Sequence, residues 1–201
     1  FITVNNRIIN TKDLFFTLKS QDNLSVTLSL ETKDGEGSLD FVYAIHQDDY
    51  MVDFSIVPNN LFGYISPSTS GLDFEWRQKI KQQEKGRQFE QRYARLSYKF
   101  LSDDVEQLSE AKDDSEEVSN KIKWIGFKDQ FFSTVLIAKE SFEATHLTSK
   151  QFKTGDYLKE YSATTGVPFD PRQNTPVKMN FYFGPNDFKL LKDYDKTKFV
   201  G

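Results

Sequence analysis

Hydrophobic and polar residues alternate along much of the chain, a pattern typical of β-strands with one buried face. In 24–30 every second residue is Leu or Val with Ser or Thr between, and 72–76 repeats the alternation with charged residues in the polar positions. Other short runs rich in β-branched and aromatic residues are bounded by Gly, Pro, Asn or Asp. These runs predict further strands at 2–9, 14–18, 39–46, 50–57, 95–101, 143–150, 157–161 and 177–183.

The stretch 123–138 has only three charged residues and is apolar at both odd and even positions. Trp124 falls on one face of an extended chain and Phe127 on the other. Apolar residues on both faces predict a strand that is covered on both sides. We therefore expect a central core strand that buries Trp124 and Phe131, with 143–150 pairing back against it. The alternative is an exposed aromatic shelf that binds a ligand.

A short helix is predicted in the middle of the chain. The segment 78–95 carries six Lys or Arg residues against two Glu. Phe89 and Tyr93 are four residues apart within it, which predicts a helix over 84–93. The basic residues are typical of a solvated helix face; binding of an acidic partner or of lipid headgroups is the alternative.

A second helix is predicted near the C-terminal end. Pro185 and Asn186 precede Phe188 and Leu191, two apolar residues spaced three apart, and Tyr194 falls in the same predicted helix. Because Asn is a favoured N-cap residue, the helix is expected over 186–194, with the two apolar side chains packed on the sheet.

The segment 102–120 interrupts the strand pattern with acidic residues. It contains eight Asp or Glu against Lys112 alone, and few residues suited to a core. Calcium binding through an EF-hand is not supported, because the ligand pattern and its turn glycine are missing. The composition instead predicts a mobile surface loop.

Composition narrows the class of protein. Of the 201 residues 37% are hydrophobic and 15% aromatic, and aromatic residues favour strands. Ten to twelve short strands with two short helices predict an all-β fold, a β-sandwich formed as a single domain over 1–201.

The balance of 26 basic against 30 acidic residues argues against nucleic acid as a partner. The lack of cysteine excludes disulfides and cysteine-based zinc sites.

The sequence also bears on membrane attachment. No apolar run reaches the roughly 18–20 residues that span a bilayer, and no signal peptide is recognisable. Because the chain begins with Phe1 and not Met, we expect it to be a piece of a longer protein.

Little in the sequence predicts catalysis. His46 and His146 have no second histidine two or four positions away, so neither is expected to bind a metal or act in catalysis. No Gly-x-Ser-x-Gly elbow or phosphate-binding glycine loop is present. We predict no catalytic, cofactor-binding or metal-binding residues. Since aromatic and carboxylate side chains suit sugars, a carbohydrate-binding or carbohydrate-active β-sandwich is the alternative function.

Two motifs resemble the large periplasmic domain of the YidC membrane insertase family. The first begins at a tryptophan and reaches Gln-Phe-Phe within 124–134; the second, about fifty residues on, is Tyr-Phe-Gly-Pro at 182–185. In that family the first marks a central strand and the second opens a helix. The resemblance covers nearly the whole chain, although the chain is shorter than the proteobacterial domain. It assigns structural roles to Trp124, Gln130, Phe131, Phe132, Gly184 and Pro185.

The resemblance implies a galactose-mutarotase-like β-supersandwich without enzymatic activity or cofactor, on the periplasmic face of the bacterial inner membrane. The parent protein would insert and help fold membrane proteins, alone or with the Sec translocon. The implied partners are nascent membrane proteins and the SecYEG and SecDF components, and the implied anchors are transmembrane helices that flank this domain. The C-terminal helix would direct Gly201 toward the membrane.

Overall fold

Antiparallel β-strands dominate the computed structural model, which describes residues 3–102 and 104–197. The strands are β1 (Thr17–Gln21), β2 (Ser25–Glu31), β3 (Ser38–Ile45), β4 (Met51–Asn59), β5 (Gly71–Lys81), β6 (Arg95–Phe100), β7 (Val105–Gln107), β8 (Asp114–Val118), β9 (Ile122–Lys128), β10 (Phe132–Gln151), β11 (Tyr157–Pro168) and β12 (Val177–Pro185). The helices are a 3-10 turn (Thr11–Asp13), α1 (Arg87–Tyr93) and α2 (Phe188–Thr197). The predicted all-β class with two short α-helices is confirmed, and the twelve strands of the described residues fall within the predicted number.

The chain divides into two compact units. The first comprises residues 3–73 and 167–180, and the second comprises 74–102, 104–166 and 181–197. Each unit has its own buried apolar residues.

The first unit contains an antiparallel sheet in the order β1-β2-β3-β4. Phe41 at the centre of β3 pairs with Leu28 on β2 and Ile56 on β4. A tight turn joins β2 to β3, and Gly35 adopts a φ of 76° there, a conformation that glycine adopts without steric cost. The unit buries Leu39, Met51, Phe54, Ile56, Leu61 and Ile65.

A buried carboxylate, Asp40, ties the strands of this sheet together. It accepts hydrogen bonds from Lys19 Nζ (2.7 Å), Ser29 Oγ (2.6 Å) and Asn59 Nδ2 (3.0 Å). Burial by itself raises the pKa of Asp40, but the hydrogen bonds from Lys19 and Ser29 outweigh it and hold the pKa below its ordinary value. Ser29 is therefore buried, although the alternation in 24–30 predicts it on the solvent face.

The second unit contains a sheet in the order β10-β9-β6-β7. Strand β10 is 20 residues long, and its later half pairs with β8 and β11, while β11 also pairs with β5. The pairing register shifts twice between Ile137 and His146, where Ala144 has a φ of 44°. The prediction that 143–150 turns back against 123–138 is wrong, because these residues continue the same strand.

The aromatic stretch 123–138 is a hairpin of β9 and β10, not the single central strand that we predict. Within β9 the prediction of a core strand is correct, since Phe127 is fully buried and stacks on Trp76 at a centroid distance of 3.9 Å. Trp124 is half-buried, and Phe131 is 39% exposed. The core prediction for Phe131 is wrong because this residue lies in the turn between the two strands.

The loop prediction for 102–120 is also wrong. This segment contains the short edge strands β7 and β8, which pair with β6 and β10 through their backbones while most of their side chains stay exposed. Leu108 and Val118 are buried and fix the segment to the unit. An acidic composition lowers the apolar burial but leaves the backbone free to complete a sheet.

The N-terminal strand predictions are only partly correct. In the described part of 2–9, Thr3 forms an isolated bridge with Ile65; β1 begins at Thr17, so the predicted strand 14–18 overlaps it by two residues. Strands β5 and β11 extend well beyond their predicted ends.

Helix α2 packs on the rest of the second unit through Tyr194, and the predicted packing of Phe188 on the sheet is wrong. Phe188 is 77% exposed, whereas Tyr194 is buried with its ring 5.3 Å from that of Tyr182. Lys99 Nζ and Asp195 Oδ1 add an ion pair at 3.2 Å. Gly201 lies outside the described residues. In the described part of the chain no helix has the length and apolar character needed to cross a membrane.

Candidate functional site

The two sequence motifs meet at one place in the second unit. The β9–β10 turn, residues 129–132, lies against the connection between β12 and α2. Asn186 joins them: its backbone N–H donates to Phe131 O (2.8 Å), its Nδ2 donates to Asp129 O (2.9 Å), and its Oδ1 accepts from Ser133 Oγ. We call these three hydrogen bonds the Asn186 clasp.

Asp129 determines the shape of the turn. Its Oδ1 accepts from the backbone N–H groups of Phe131 (2.7 Å) and Phe132 (2.6 Å), and its own N–H donates to Phe132 O (2.9 Å). An Asp that satisfies the next backbone donors in this way is a common turn former. The backbone is satisfied internally, and the rings of Phe131 and Phe132 remain 39% and 58% exposed.

At the Gly-Pro motif, the ring of Tyr182 lies directly against the backbone of Gly184, two residues later on β12. Gly184 is buried, and a Cβ at this position would collide with the Tyr182 ring. The Tyr182 hydroxyl donates to Pro185 O at 2.9 Å. A larger residue at position 184 would therefore require the buried Tyr182 ring to shift, and this tyrosine is hydrogen-bonded to the end of β12.

The structure brings together five of the six motif residues. Gln130, Phe131 and Phe132 lie in the turn, and Gly184 and Pro185 lie at the end of β12. Trp124 lies apart on β9, opposite Ile137. The side chains of Trp124 and Gln130 each bury a polar atom, the indole Nε1 and the amide Oε1, for which the described residues provide no hydrogen-bond partner.

Sequence reasoning misses the residues that hold this arrangement. Asn186 is predicted as an N-cap, but Asp187 takes that position, since its Oδ1 accepts from Leu190 N at 2.9 Å. The role of Asn186 depends on a turn 57 residues away from it, and no local pattern indicates this. Asp129 is detectable, because Asp followed by exposed turn residues is a recognised turn signal.

The two segments joined by the clasp carry several exposed aromatic side chains, which we call the aromatic surface: Phe131, Phe132, Phe183 and Phe188. Phe183 is 51% exposed, and Lys192 Nζ lies 5.7 Å from the ring centroid of Phe188. Large apolar side chains in water are suited to docking against another apolar surface. The arrangement is therefore suited to contact with another apolar surface.

The histidines lie elsewhere, each beside a carboxylate. His46 Nε2 is 2.8 Å from Asp53 Oδ2 in the first unit, and His146 Nδ1 is 2.8 Å from Glu117 Oε1 in the second. Each ring is about half exposed, and neither lines the two cavities near α1. Among the described residues no group of three His, Asp or Glu side chains could hold a metal ion.

Fold and site together define an all-β domain with exposed aromatic rings on the two segments that the Asn186 clasp joins. The chain matches the family described as YidC periplasmic domain over residues 5–199. The chain belongs to this family, and the resemblance drawn from the two motifs is confirmed.

Several curated relatives carry the name membrane protein insertase YidC. The protein from Parabacteroides distasonis is 54% identical over 97% of this chain and 31% of its own length. The protein from Azobacteroides pseudotrichonymphae is 52% identical over 98% of this chain and 32% of its own length. One from Bacteroides fragilis is 42% identical over 94% of this chain. The chain thus spans about a third of the length of these relatives.

Among solved structures, the chain is similar to a galactose mutarotase related enzyme from Lactobacillus acidophilus. The match covers 86% of this chain and 72% of that one, with 10% identity and a TM-score of 0.45. A likeness at this level supports no conclusion about activity.

Proposed function

We propose that this chain is the periplasmic accessory domain of a membrane protein insertase, a single non-catalytic β-sandwich domain on the periplasmic face of the bacterial inner membrane. The observation that carries the proposal is the family match over residues 5–199, together with identities of 52% and 54% to proteins named insertases. The parent protein would insert and help fold inner-membrane proteins, and transmembrane helices flanking this domain would anchor it.

Within this proposed function, the aromatic surface would contact partner proteins and the Asn186 clasp would hold that surface in place. The clasp fixes the start of α2 to the β9–β10 hairpin, so the rings of the aromatic surface are presented by rigid elements. We propose structural roles for the six motif residues on this basis, with five of them shaping the surface. Its partners would be nascent membrane proteins or components of the Sec translocon, SecYEG and SecDF.

The test uses the full-length parent protein in its own host. Deletion of the segment corresponding to this chain is expected to reduce insertion of a Sec-dependent reporter membrane protein. Asn186→Ala is expected to reduce it partially, whereas the matched variant Asn23→Ala, at an exposed position of the first unit, should have no effect. Unchanged insertion after deletion of the whole domain would contradict the accessory role.

Cross-linking identifies the partner. A photoreactive residue at Phe132 is expected to form adducts with SecDF, SecYEG or a nascent membrane protein. The same residue at Phe15, which is 95% exposed in the first unit, is the control. A mutarotase or glycosidase assay on the purified chain distinguishes the carbohydrate alternative: turnover that disappears with His46→Ala or His146→Ala would overturn the proposal.

A further inference from the structure

Helix α1 is held in place by a guanidinium group that contacts four acceptors. Arg87 Nη1 donates to Gln82 Oε1 and to Gly155 O, both at 2.9 Å, and Nη2 donates to Phe152 O (2.6 Å) and Tyr157 O (2.5 Å). The acceptors belong to the ends of β5, β10 and β11 and to the turn between the last two. One side chain therefore fixes the start of the helix to the second unit.

A buried carboxylate provides a further attachment of α1. Glu90 is fully buried, and it accepts from the backbone N–H groups of Gln83 (2.8 Å) and Glu84 (3.0 Å). Buried charges are retained in proteins when they are hydrogen-bonded in this way. Arg87 and Glu90 thus hold α1 against the second unit through hydrogen bonds to its backbone, and the opposite side of the helix faces outward.

The outer face of α1 is aromatic and basic. Phe89 and Tyr93 are 55% and 44% exposed, with ring centroids 5.0 Å apart. Lys85 and Arg92 flank them and are also exposed. A depression of about 460 Å³ follows the helix here, lined by Gly86, Arg87, Gln88, Phe89 and Arg92. We call Lys85, Phe89, Arg92 and Tyr93 the α1 face.

The charge of this region is opposite to that of the whole chain. Residues 77–95 contain seven Lys or Arg and two Glu, a difference of +5, whereas the chain carries −4. Three of the cations form ion pairs within the described residues, namely Arg77 with Glu75, Lys79 with Glu160, and Arg95 with Glu110. In the part of the chain that the structure describes, Lys81, Lys85 and Arg92 have no ion-pair partner. Arg92 lines the depression beside Phe89, whereas Lys81 and Lys85 line a neighbouring depression that also contains Glu84 and Asp156.

Strand register places α1 at the same end of the second unit as the aromatic surface. Arg95, the first residue of β6, pairs with Lys128 at the end of β9, which pairs in turn with Ser133 near the start of β10. Tyr93 precedes Arg95 by two residues, and the β9–β10 turn begins directly after Lys128. The α1 face and the turn that carries Phe131 therefore project from one end of the sheet.

We propose that the α1 face docks on the surface of a lipid bilayer that contains anionic phospholipids. Aromatic side chains are favoured at the headgroup level of a bilayer, where their apolar bodies are buried and polar tips such as the Tyr93 hydroxyl stay hydrated. Basic side chains at the rim are attracted to anionic lipids over the same short distance. The charge is spread over separate flexible side chains and not gathered in a bidentate site, which favours a fluid anionic surface over one acidic peptide. The inference rests on the proposed function only for placing the domain beside a membrane.

Vesicle flotation with the 201-residue chain tests the proposal directly. Vesicles of phosphatidylcholine and phosphatidylglycerol at 3:1 are expected to retain the protein at least tenfold better than vesicles of phosphatidylcholine alone. Lys85→Ala and Arg92→Ala should each weaken binding by about fivefold. The double variant Phe89→Ala/Tyr93→Ala should weaken it by about tenfold or more. All these side chains are exposed, so the melting temperature should stay unchanged.

Matched controls lie in the first unit. Lys33→Ala and Phe15→Ala remove an exposed cation and an exposed ring there and should leave binding unaltered. Equal retention by both kinds of vesicle, α1 variants that bind like the wild type, or controls that weaken binding as much would each overturn the proposal. Binding of a poly-glutamate peptide without binding of anionic vesicles would overturn it in favour of an acidic protein partner. Loss of reporter insertion on domain deletion, with no vesicle binding, would leave the accessory role standing and reject only this inference.

Discussion

The aromatic hairpin 123–138 and the acidic segment 104–120 are neighbours in the second unit, and they differ in nearly every chemical respect. The hairpin carries three charged residues, of which one is acidic, while the acidic segment carries seven Asp or Glu residues, yet both form β-strands. The hairpin buries Phe127 but exposes Phe131, whereas the acidic segment exposes most of its side chains but buries Leu108. Each segment thus contains both buried and exposed side chains, although its composition alone suggests a uniformly buried hairpin and a uniformly exposed acidic segment.

The difference teaches that pairing and burial are separate requirements. An edge strand needs a backbone partner on one side only, so β7 can form from Val-Glu-Gln with all three side chains exposed. A turn, in contrast, is formed by a residue such as Asp129 that satisfies the backbone, whatever the apolar character of its neighbours.

The largest effect is expected inside the hairpin. Phe127→Ala removes a fully buried ring that stacks on Trp76 and should lower the free energy of unfolding by about 3–5 kcal/mol. Urea denaturation followed by circular dichroism measures it. Phe132→Ala, in the same hairpin but 58% exposed, is the control and should cost under about 1 kcal/mol. Equal losses of stability for the two variants would contradict the assignment of Phe127 to the core and of Phe132 to the surface.

A somewhat smaller loss is expected in the acidic segment. Leu108 is 3% exposed, and its N–H donates to Leu96 O at 3.0 Å. Leu108→Ala should lower the free energy of unfolding by about 2–4 kcal/mol, whereas Val105→Ala, at a 55% exposed position in β7, should have little effect. If Leu108→Ala were as harmless as Val105→Ala, the segment would behave as the loop that its composition predicts.

The stability of the domain should depend on pH because Lys159, whose buried amine contacts the acidic segment, has a different pKa in the folded and unfolded chains. Lys159 is fully buried, and its Nζ donates to Ala94 O (2.8 Å) and Glu110 O (2.9 Å). Burial lowers its pKa from 10.5 to about 8, so between these values the unfolded chain binds more protons than the folded one. Stability should therefore rise from pH 8 toward 10, by on the order of 2 kcal/mol.

Comparison with Lys159→Met isolates this contribution. The wild-type increase between pH 8 and 10 should be absent from Lys159→Met and retained in Lys150→Met, where the lysine is exposed. Urea denaturation at pH 7, 8, 9 and 10 provides the free energies of unfolding. A difference between wild type and Lys159→Met that does not change with pH would contradict the lowered pKa.

The smallest effect is expected at the tip of the hairpin. Phe131→Ala removes a ring that is 39% exposed and should cost under about 1 kcal/mol of stability. Asp129→Ala, which leaves two turn N–H groups without their acceptor, should cost about 1 kcal/mol or slightly more. Thermal melts of both variants show which of the two substitutions lowers stability more. A loss of several kcal/mol for Phe131→Ala would mean that the ring belongs to the core.

The sequence predicts the strand-rich class and most strand positions because period-two alternation depends on local geometry alone. It fails where distant residues decide the outcome. Ser29 is buried because Asp40 on the next strand needs a donor, and Phe131 is exposed because Asp129 closes the turn before it. Of the candidate site, five motif residues do converge, but Asn186, which joins them, is indicated by no neighbouring residue.

The Asn186 clasp also determines how the domain responds to mechanical force. Tension that pulls α2 away from β12 loads the three hydrogen bonds of Asn186 to the β9–β10 hairpin. Strand β9 is itself hydrogen-bonded on both sides, to β10 and β6, so the load is distributed across three strands at once. A force applied to α2 is therefore resisted first by the hydrogen bonds of Asn186 and by the sheet that holds the β9–β10 hairpin, and only afterwards by the pairing of β12.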